Sequence, residues 1–337
     1  MKPVTRQGTP FALRYLMPEA VDAYLSRFAD QTLCVVGFGA ERPATKPDCP
    51  LFWVDMPVLG SDAAYEIWTS NKPVEQYQDG SITGAGNEDI FFGCMSVRPD
   101  AKDELSEAVQ RAYSCIFDFL QRSTCPNLLR VWNYIPEINL IENGMERYHS
   151  FSVGRHEAFV RHNRSVENSP AACALGSHGE SLVIYFLASR FAGVQIENPL
   201  QTSAYNYPNQ YGPRSPTFSR ATLACYDSVQ TLFISGTASI LGYETVHLGS
   251  VSLQARETLA NLRAVIDQAC REGFEFAGFE SGLALKVYVR HAKDMDVVRD
   301  IIQDEWGVLQ ELVFLQADIC RTDLLLEIEA VCWSGVG

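Results

Sequence analysis

Near the end of the chain, the apolar run from Leu324 to Val331 is interrupted by two carboxylates, Glu327 and Glu329. Residues two apart in a strand point to the same face, so both side chains leave one side of it. A carboxylate on a buried strand is costly unless it is paired or used. If used, it serves as a general acid or base, because desolvation raises a carboxyl pKa toward neutrality. An edge strand with one polar face would read the same way, and these residues alone leave both readings open. Cys320 ends the preceding apolar run, Leu312 to Cys320. From there it either lines the same cleft or is a buried thiol.

Arginine is the natural partner of an anionic substrate, since its planar fork takes a carboxylate through two parallel hydrogen bonds. Arg155, Arg161 and Arg164 lie in or just after a predicted helix. Arg290 ends a predicted strand. Arg214 and Arg220 fall in a segment rich in Pro, Asn and Tyr that also carries Tyr205, Tyr207 and Tyr211. That segment reads as a linker or, with its tyrosines and arginines, as a binding segment. The familiar nucleotide and metal signatures are missing. There is no Walker A loop and no G-x-G-x-x-G opening a helix. His156-Glu157 and His162 do not have the H-E-x-x-H spacing that puts two imidazoles on one helix face. No metal and no cofactor are expected. Gly236-Thr-Ala-Ser239 does not match G-x-S-x-G, and no histidine has an evident nucleophile partner.

The elements that must position these residues follow from periodicity. Helices are predicted over 18–28, 102–122, 142–161, 252–270 and 295–306. In the second of these, Leu105, Ala108, Val109, Ala112, Ile116, Phe119 and Leu120 form a core-facing stripe. Strands are predicted over 32–39, 51–56, 90–97, 128–135, 231–240 and 283–290. The runs 171–175 and 181–188 suggest a locally paired hairpin, as do 312–320 and 324–331. Residues 40–50 read as a loop. The order of elements recurs: overlaying the later set on the earlier puts Gly236 on Gly93 and Glu327 on Tyr185, shifts of 143 and 142. Near-equal offsets at both ends of the unit indicate an internal repeat. Helices covering one face of locally paired strands give an α+β layer architecture.

At 337 residues the chain suits two domains or slightly more, and its 47% hydrophobic and 20% charged content is that of a globular protein. A net charge of −14 argues against nucleic acid or an anionic membrane as partner, while leaving room for a small anion held by local arginines. No apolar run approaches the ~20 residues of a membrane span, and the first residues show no signal peptide. The ten cysteines are scattered singly, which fits reduced thiols of a cytoplasmic protein.

Residues from about 225 to 331 resemble the RidA (YjgF) family through Phe233-Ile-Ser-Gly236, Gln254-Ala-Arg-Glu-Thr-Leu-Ala-Asn-Leu and the closing Leu326-Glu327-Ile-Glu329-Ala330-Val. The whole chain resembles the chorismatases, RidA-like enzymes that act on chorismate. The marks are Trp132-Asn-Tyr-Ile-Pro-Glu-Ile-Asn139, Glu142-Asn-Gly-Met-Glu-Arg-Tyr-His, Phe151-x-x-Gly-Arg155, Tyr205-x-Tyr207-Pro and Gly236-Thr-Ala-Ser-Ile-Leu-Gly-Tyr-Glu-Thr. The resemblance implies tandem RidA/YjgF-like (chorismate-mutase-like) units arranged with pseudo-threefold symmetry in one chain. It divides the chain into an abbreviated N-terminal unit (1–60), a central unit (61–195) and a C-terminal unit (196–337) carrying the catalytic glutamate. The active site would lie between the last two, in a monomer that has its trimer interface already filled in cis.

RidA deaminases share an arginine on the strand before the closing glutamate strand. Here the run Leu312 to Cys320 has none, which turns the expectation from imine deamination to chorismate chemistry. The resemblance implies Glu327 as the acid that protonates the enol ether and Cys320 as the residue selecting 3-hydroxybenzoate plus pyruvate. On this reading 4-hydroxybenzoate is a second available product. Arg155, Arg220, Arg290, Tyr205 and Tyr211 are the candidates for holding the substrate carboxylates. The alternatives are a chorismate hydrolase releasing a dihydroxycyclohexadiene carboxylate, and a RidA-like protein that binds a metabolite without turning it over.

Overall fold

The computed structural model describes residues 9–39, 49–60, 64–98, 104–226 and 229–334. The loop expected over 40–50 lies outside them except for its last two residues.

The first unit runs β1 (Phe11–Leu16), α1 (Pro18–Phe28), β2 (Thr32–Phe38), β3 (Leu51–Val54) and β4 (Tyr65–Ser70). Its sheet order is β1-β4-β2-β3, with β2 and β3 parallel. Because β4 pairs with both β1 and β2, this sheet closes at Ser70 rather than at residue 60. A hairpin of β5 (Glu75–Asp79) and β6 (Ile82–Gly86) leads into the central unit. That unit consists of β7 (Ile90–Val97), α2 (Leu105–Arg122), β8 (Asn127–Pro136), β9 (Ile141–Glu142), β10 (Met145–Glu146), α3 (Arg147–Arg161), β11 (Ala171–Ser177) and β12 (Leu182–Ser189). The third unit follows with β13 (Val194–Ile196), β14 (Ala221–Tyr226), β15 (Val229–Thr237), β16 (Ile240–Leu241), β17 (Glu244–Thr245) and α4 (Val251–Arg271). It ends with the short α5 (Phe279–Gly282), β18 (Leu283–Val289), α6 (Met295–Trp306), β19 (Glu311–Gln316) and β20 (Leu326–Trp333).

The three sheets share one order. The central sheet contains β7-β12-β8-β11 and the third β15-β20-β18-β19, matching β1-β4-β2-β3 position for position. The chain thus repeats one α+β unit three times, as the expected tandem units would. Their outer faces are covered by helices: α2 and α3 pack on Val131, Ile184 and Phe186, and α4 and α6 on Leu326, Ile328 and Ala330. The inner faces of all three sheets meet in one core that includes Leu33, Val36, Trp68, Trp132, Tyr185, Tyr288, Val331 and Trp333.

Two expected hairpins are not hairpins. β8 lies between β11 and β12, and β18 lies between β19 and β20, so each supposed partner sits two strands away. In both cases the earlier strand runs parallel to the intervening one, the outcome of a helical crossover. The helix expected from residue 142 begins instead at Arg147. Asn143 and Gly144 both adopt positive φ (53° and 81°), the geometry of a tight hairpin turn that joins β9 to β10.

Candidate active site

Alternation on β20 sends Leu326, Ile328 and Ala330 outward to the helices and Glu327 and Glu329 inward, both buried. The two carboxylates then part company. Glu329 accepts hydrogen bonds from Lys286 Nζ (2.9 Å), Trp132 Nε1 (2.8 Å) and Arg130. Burial pushes its pKa up, but Lys286 and Arg130 outweigh that and hold it below the usual carboxylate range. Glu327 receives no hydrogen bond or ion pair from any described residue and opens onto a cavity. Burial, reinforced by the charge on Glu329 and opposed by Arg130, raises its pKa to about 8. A carboxyl in that state is a protonated acid at neutral pH.

Room for this carboxyl comes from β15. Between Ile234 and Thr237 its pairing with β20 gains one residue, a bulge at Ser235 and Gly236. A Cβ on Gly236 would collide with Glu327 Oε1 and crowd Cys173, so only glycine lets the acid lie there. The corresponding pairing of β7 with β12 is regular, and there Tyr185 packs into the core, bonded to Tyr134, Lys286 and Glu66.

The cavity, about 250 Å³, lies between the central and third units. Its floor is formed by Glu327 and Cys173, both buried, and by Gly236. Its walls bring together Arg155 from α3, Arg220 at the start of β14, Tyr207 and Tyr211. Arg155 is 3% exposed and its Nε and Nη2 have no hydrogen-bond partner; it lies against the rings of Tyr113 and Phe159. Arg220 is 4% exposed; its Nη2 donates to Tyr207 Oη (2.8 Å) and the Thr202 carbonyl (2.7 Å), while Nε is unpartnered. A buried guanidinium with idle donors beside a cavity is an anion receptor, since leaving such donors unmet costs the full desolvation penalty.

Cys320 lines the same cavity, half-buried in the loop between β19 and β20. Burial, then the Glu327 carboxyl, pushes its thiol up to about 12, so it is uncharged. Of the remaining candidates, Tyr211 is present but Tyr205 and Arg290 are not. Tyr205 sits in a turn outside the cavity wall, and Tyr207, two residues on, takes the wall position. Arg290 has no donor left for a substrate. Nε binds the Leu324 carbonyl, Nη2 the Ile319 and Arg321 carbonyls, and Nη1 Asp318 and Asn139. It clamps the loop that carries Cys320 and Arg321.

The sequence reading missed Arg321, whose guanidinium lies 3.8 Å from the Tyr211 ring centre and donates to the Tyr243 carbonyl (2.9 Å). It also missed Arg130 and Lys286. Each is a lone cation inside an apolar strand run, the same signal that singled out Glu327.

With this geometry in hand, the likenesses to known proteins are informative. A family model described as "Chorismatase FkbO/Hyg5-like, N-terminal" matches residues 66–188. A 3-hydroxybenzoate synthase of Streptomyces hygroscopicus is 36% identical over 300 residues, covering 86% of this chain and 88% of its own length. A chorismatase of Streptomyces rapamycinicus is 36% identical over 84% of this chain and 86% of its own. The crystal structure of a chorismatase superposes with a TM-score of 0.87 at 32% identity, over 96% of this chain and 98% of that one. The chain belongs to the chorismatase family.

Proposed function

We propose that the chain converts chorismate to 3-hydroxybenzoate and pyruvate in the cavity beneath Glu327. The observation that carries this reading is the pairing of a buried, proton-bearing carboxyl with two buried arginines whose donors are unmet. Chorismate has two carboxylates for Arg155 and Arg220, and an enol ether whose methylene carbon is a poor base needing a strong, held acid. Tyr207 and Tyr211 supply the aromatic and hydroxyl lining between them.

Glu327 gives its proton to the methylene carbon, turning the enolpyruvyl group into an oxocarbenium ion. The neighbouring ring hydroxyl adds to that cation and loses its proton, for which the newly formed Glu327 carboxylate is the base at hand. The resulting cyclic ketal opens by breaking the ring-carbon bond to the oxygen that came from the hydroxyl. The adjacent ring C–H proton then departs and the ring becomes aromatic. That oxygen closes to the pyruvate carbonyl as the bond between its carbon and the phenol oxygen breaks, and the released phenol oxygen takes up a proton. Chorismate divides into hydroxybenzoate and pyruvate with no water in the balance. Breaking the other ring C–O bond of the ketal leads to 4-hydroxybenzoate.

Internal trapping requires water to be kept from the cation, and the neutral Cys320 thiol fills space beside Glu327 without competing as a nucleophile. We further propose that the chain works as a monomer in the cytoplasm. Three sheets of like order already close the core, and no described helix is long and apolar enough to cross a membrane.

Incubation of the purified chain with chorismate, with products separated by chromatography, is expected to give 3-hydroxybenzoate and pyruvate in equal amounts. In Cys320→Ala the aromatic product should yield to the dihydroxycyclohexadiene carboxylate as water enters. An unchanged product from that variant would remove Cys320 from the account. Absence of pyruvate from the parent chain would favour a binding protein.

A further inference from the structure

Glu327 keeps its proton in a neighbourhood that contains two buried cations, Arg130 on β8 and Lys286 on β18. An opposite charge within a few ångströms normally drives a carboxyl to ionise. What cancels these cations is Glu329, two residues further along β20 on the same inner side. A strand rises about 3.3 Å per residue, so the two glutamates start roughly 7 Å apart. Lys286 Nζ bridges Glu329 (2.9 Å) and Glu66 of β4 (2.6 Å), and Arg130 closes on Glu329 from the central sheet. Two carboxylates and two cations make a quartet of zero formal charge, drawn from all three sheets.

The other groups facing Glu327 offer no substitute for that negative charge. Tyr288 stands opposite it on β18, and Cys173 approaches from β11. Tyr148 and Arg155 come from α3, and Cys320 and Arg321 from the loop between β19 and β20; Arg220 lines the same wall. The remaining lining groups that titrate are Tyr207, which accepts from Arg220, Tyr211, whose ring lies under Arg321, His149, half-buried, Glu146, which accepts from Asn139 (2.9 Å), and Asp323, which is exposed.

We infer that Glu329, clamped by Lys286 and Arg130, is a positioning residue for the reaction: its fixed negative charge offsets theirs beside the cavity and keeps the proton on Glu327. This rests on the reading of Glu327 as the acid. The charge on Glu329 does act on Glu327 in the required sense, adding to burial against the pull of Arg130.

The test is the pH dependence of kcat for pyruvate release in the parent chain, Glu329→Gln, and Glu329→Gln with Lys286→Met. The parent should lose activity as pH rises through about 8, where Glu327 gives up its proton. Glu329→Gln leaves two cations against Glu66 alone, so that limb should move down by about 1–3 pH units, and activity lost at neutral pH should return on acidification. The double variant removes one charge of each sign and should bring the limb back toward the parent. A residue that only holds the fold would lower activity at every pH and leave the limb in place, and that result overturns the inference. Should the variants not fold, 13C NMR of glutamate-labelled parent protein decides. At pH 7 it must show Glu327, assigned by its loss in Glu327→Gln, as a neutral acid and Glu329 ionised; a protonated Glu329 overturns the inference. Failure of the parent to release pyruvate would instead strike the reading of Glu327 as acid, and the NMR titration would still test the link between the two glutamates.

Discussion

At the scale of single residues, the site rests on charges whose partners differ. Glu329 is saturated with donors, while Glu327 has none among the described residues and looks into the cavity. The arginines divide the same way. Arg290 spends all five of its N–H groups on the protein, whereas Arg155 and Arg220 keep donors idle. Arg155→Gln and Arg220→Gln should each raise KM for chorismate at least tenfold, since a charge-assisted hydrogen bond contributes about 1.5–3 kcal/mol and 1.4 kcal/mol is a factor of ten. Arg290→Gln should act otherwise, through loosening of the Cys320 loop, and shift the product mixture more than KM. Steady-state kinetics with product analysis separates the two; equal KM effects from all three would contradict this division. The sequence displayed all these arginines alike, because which of them meets backbone carbonyls depends on a loop closing from another part of the chain.

At the scale of elements, the alternation of β20 was legible: apolar residues at even positions and carboxylates at 327 and 329 required a strand with helices on one side and something costly on the other. Strand partners were not legible. Two apolar runs joined by a polar turn look like a hairpin, yet β19 and β20 are separated by β18, because parallel pairing is set by crossovers far away in sequence. The Asn143–Gly144 turn could have been recognised from its dipeptide, and doing so would have started α3 where it begins, at Arg147. The bulge of β15 was also invisible, though Gly236 itself was noted as a repeat position. Gly236→Ala places a methyl group where the Glu327 carboxyl lies. The expected outcome is a loss of kcat of about 10²-fold or more, as for a misplaced reacting group, with a stability cost of about 1–3 kcal/mol for overpacking. Denaturant unfolding beside kinetics would show it; retained kcat would mean that the acid does not need this position.

At the scale of the whole molecule, three units of one strand order close around a shared core, and the cleft between the central and third units holds the buried carboxyl of Glu327. The repeat was visible in the near-equal offsets of Gly93 to Gly236 and Tyr185 to Glu327. The first copy was harder to see because its strands are short and its sheet runs on to Ser70. The strand holding the place of β20 in the other units carries Glu66 in the first and Tyr185 in the second, and both are bonded into the Lys286 network. The chain should therefore contain a single active centre with a single proton donor. The direct test is pyruvate release from chorismate by Glu327→Gln, a variant that keeps shape and removes the proton. General acid catalysis contributes about 10²–10⁴-fold, and the account predicts a loss of that size at every pH, with the descending limb near 8 gone. Turnover within a few-fold of the parent would place the proton donor elsewhere and contradict the account.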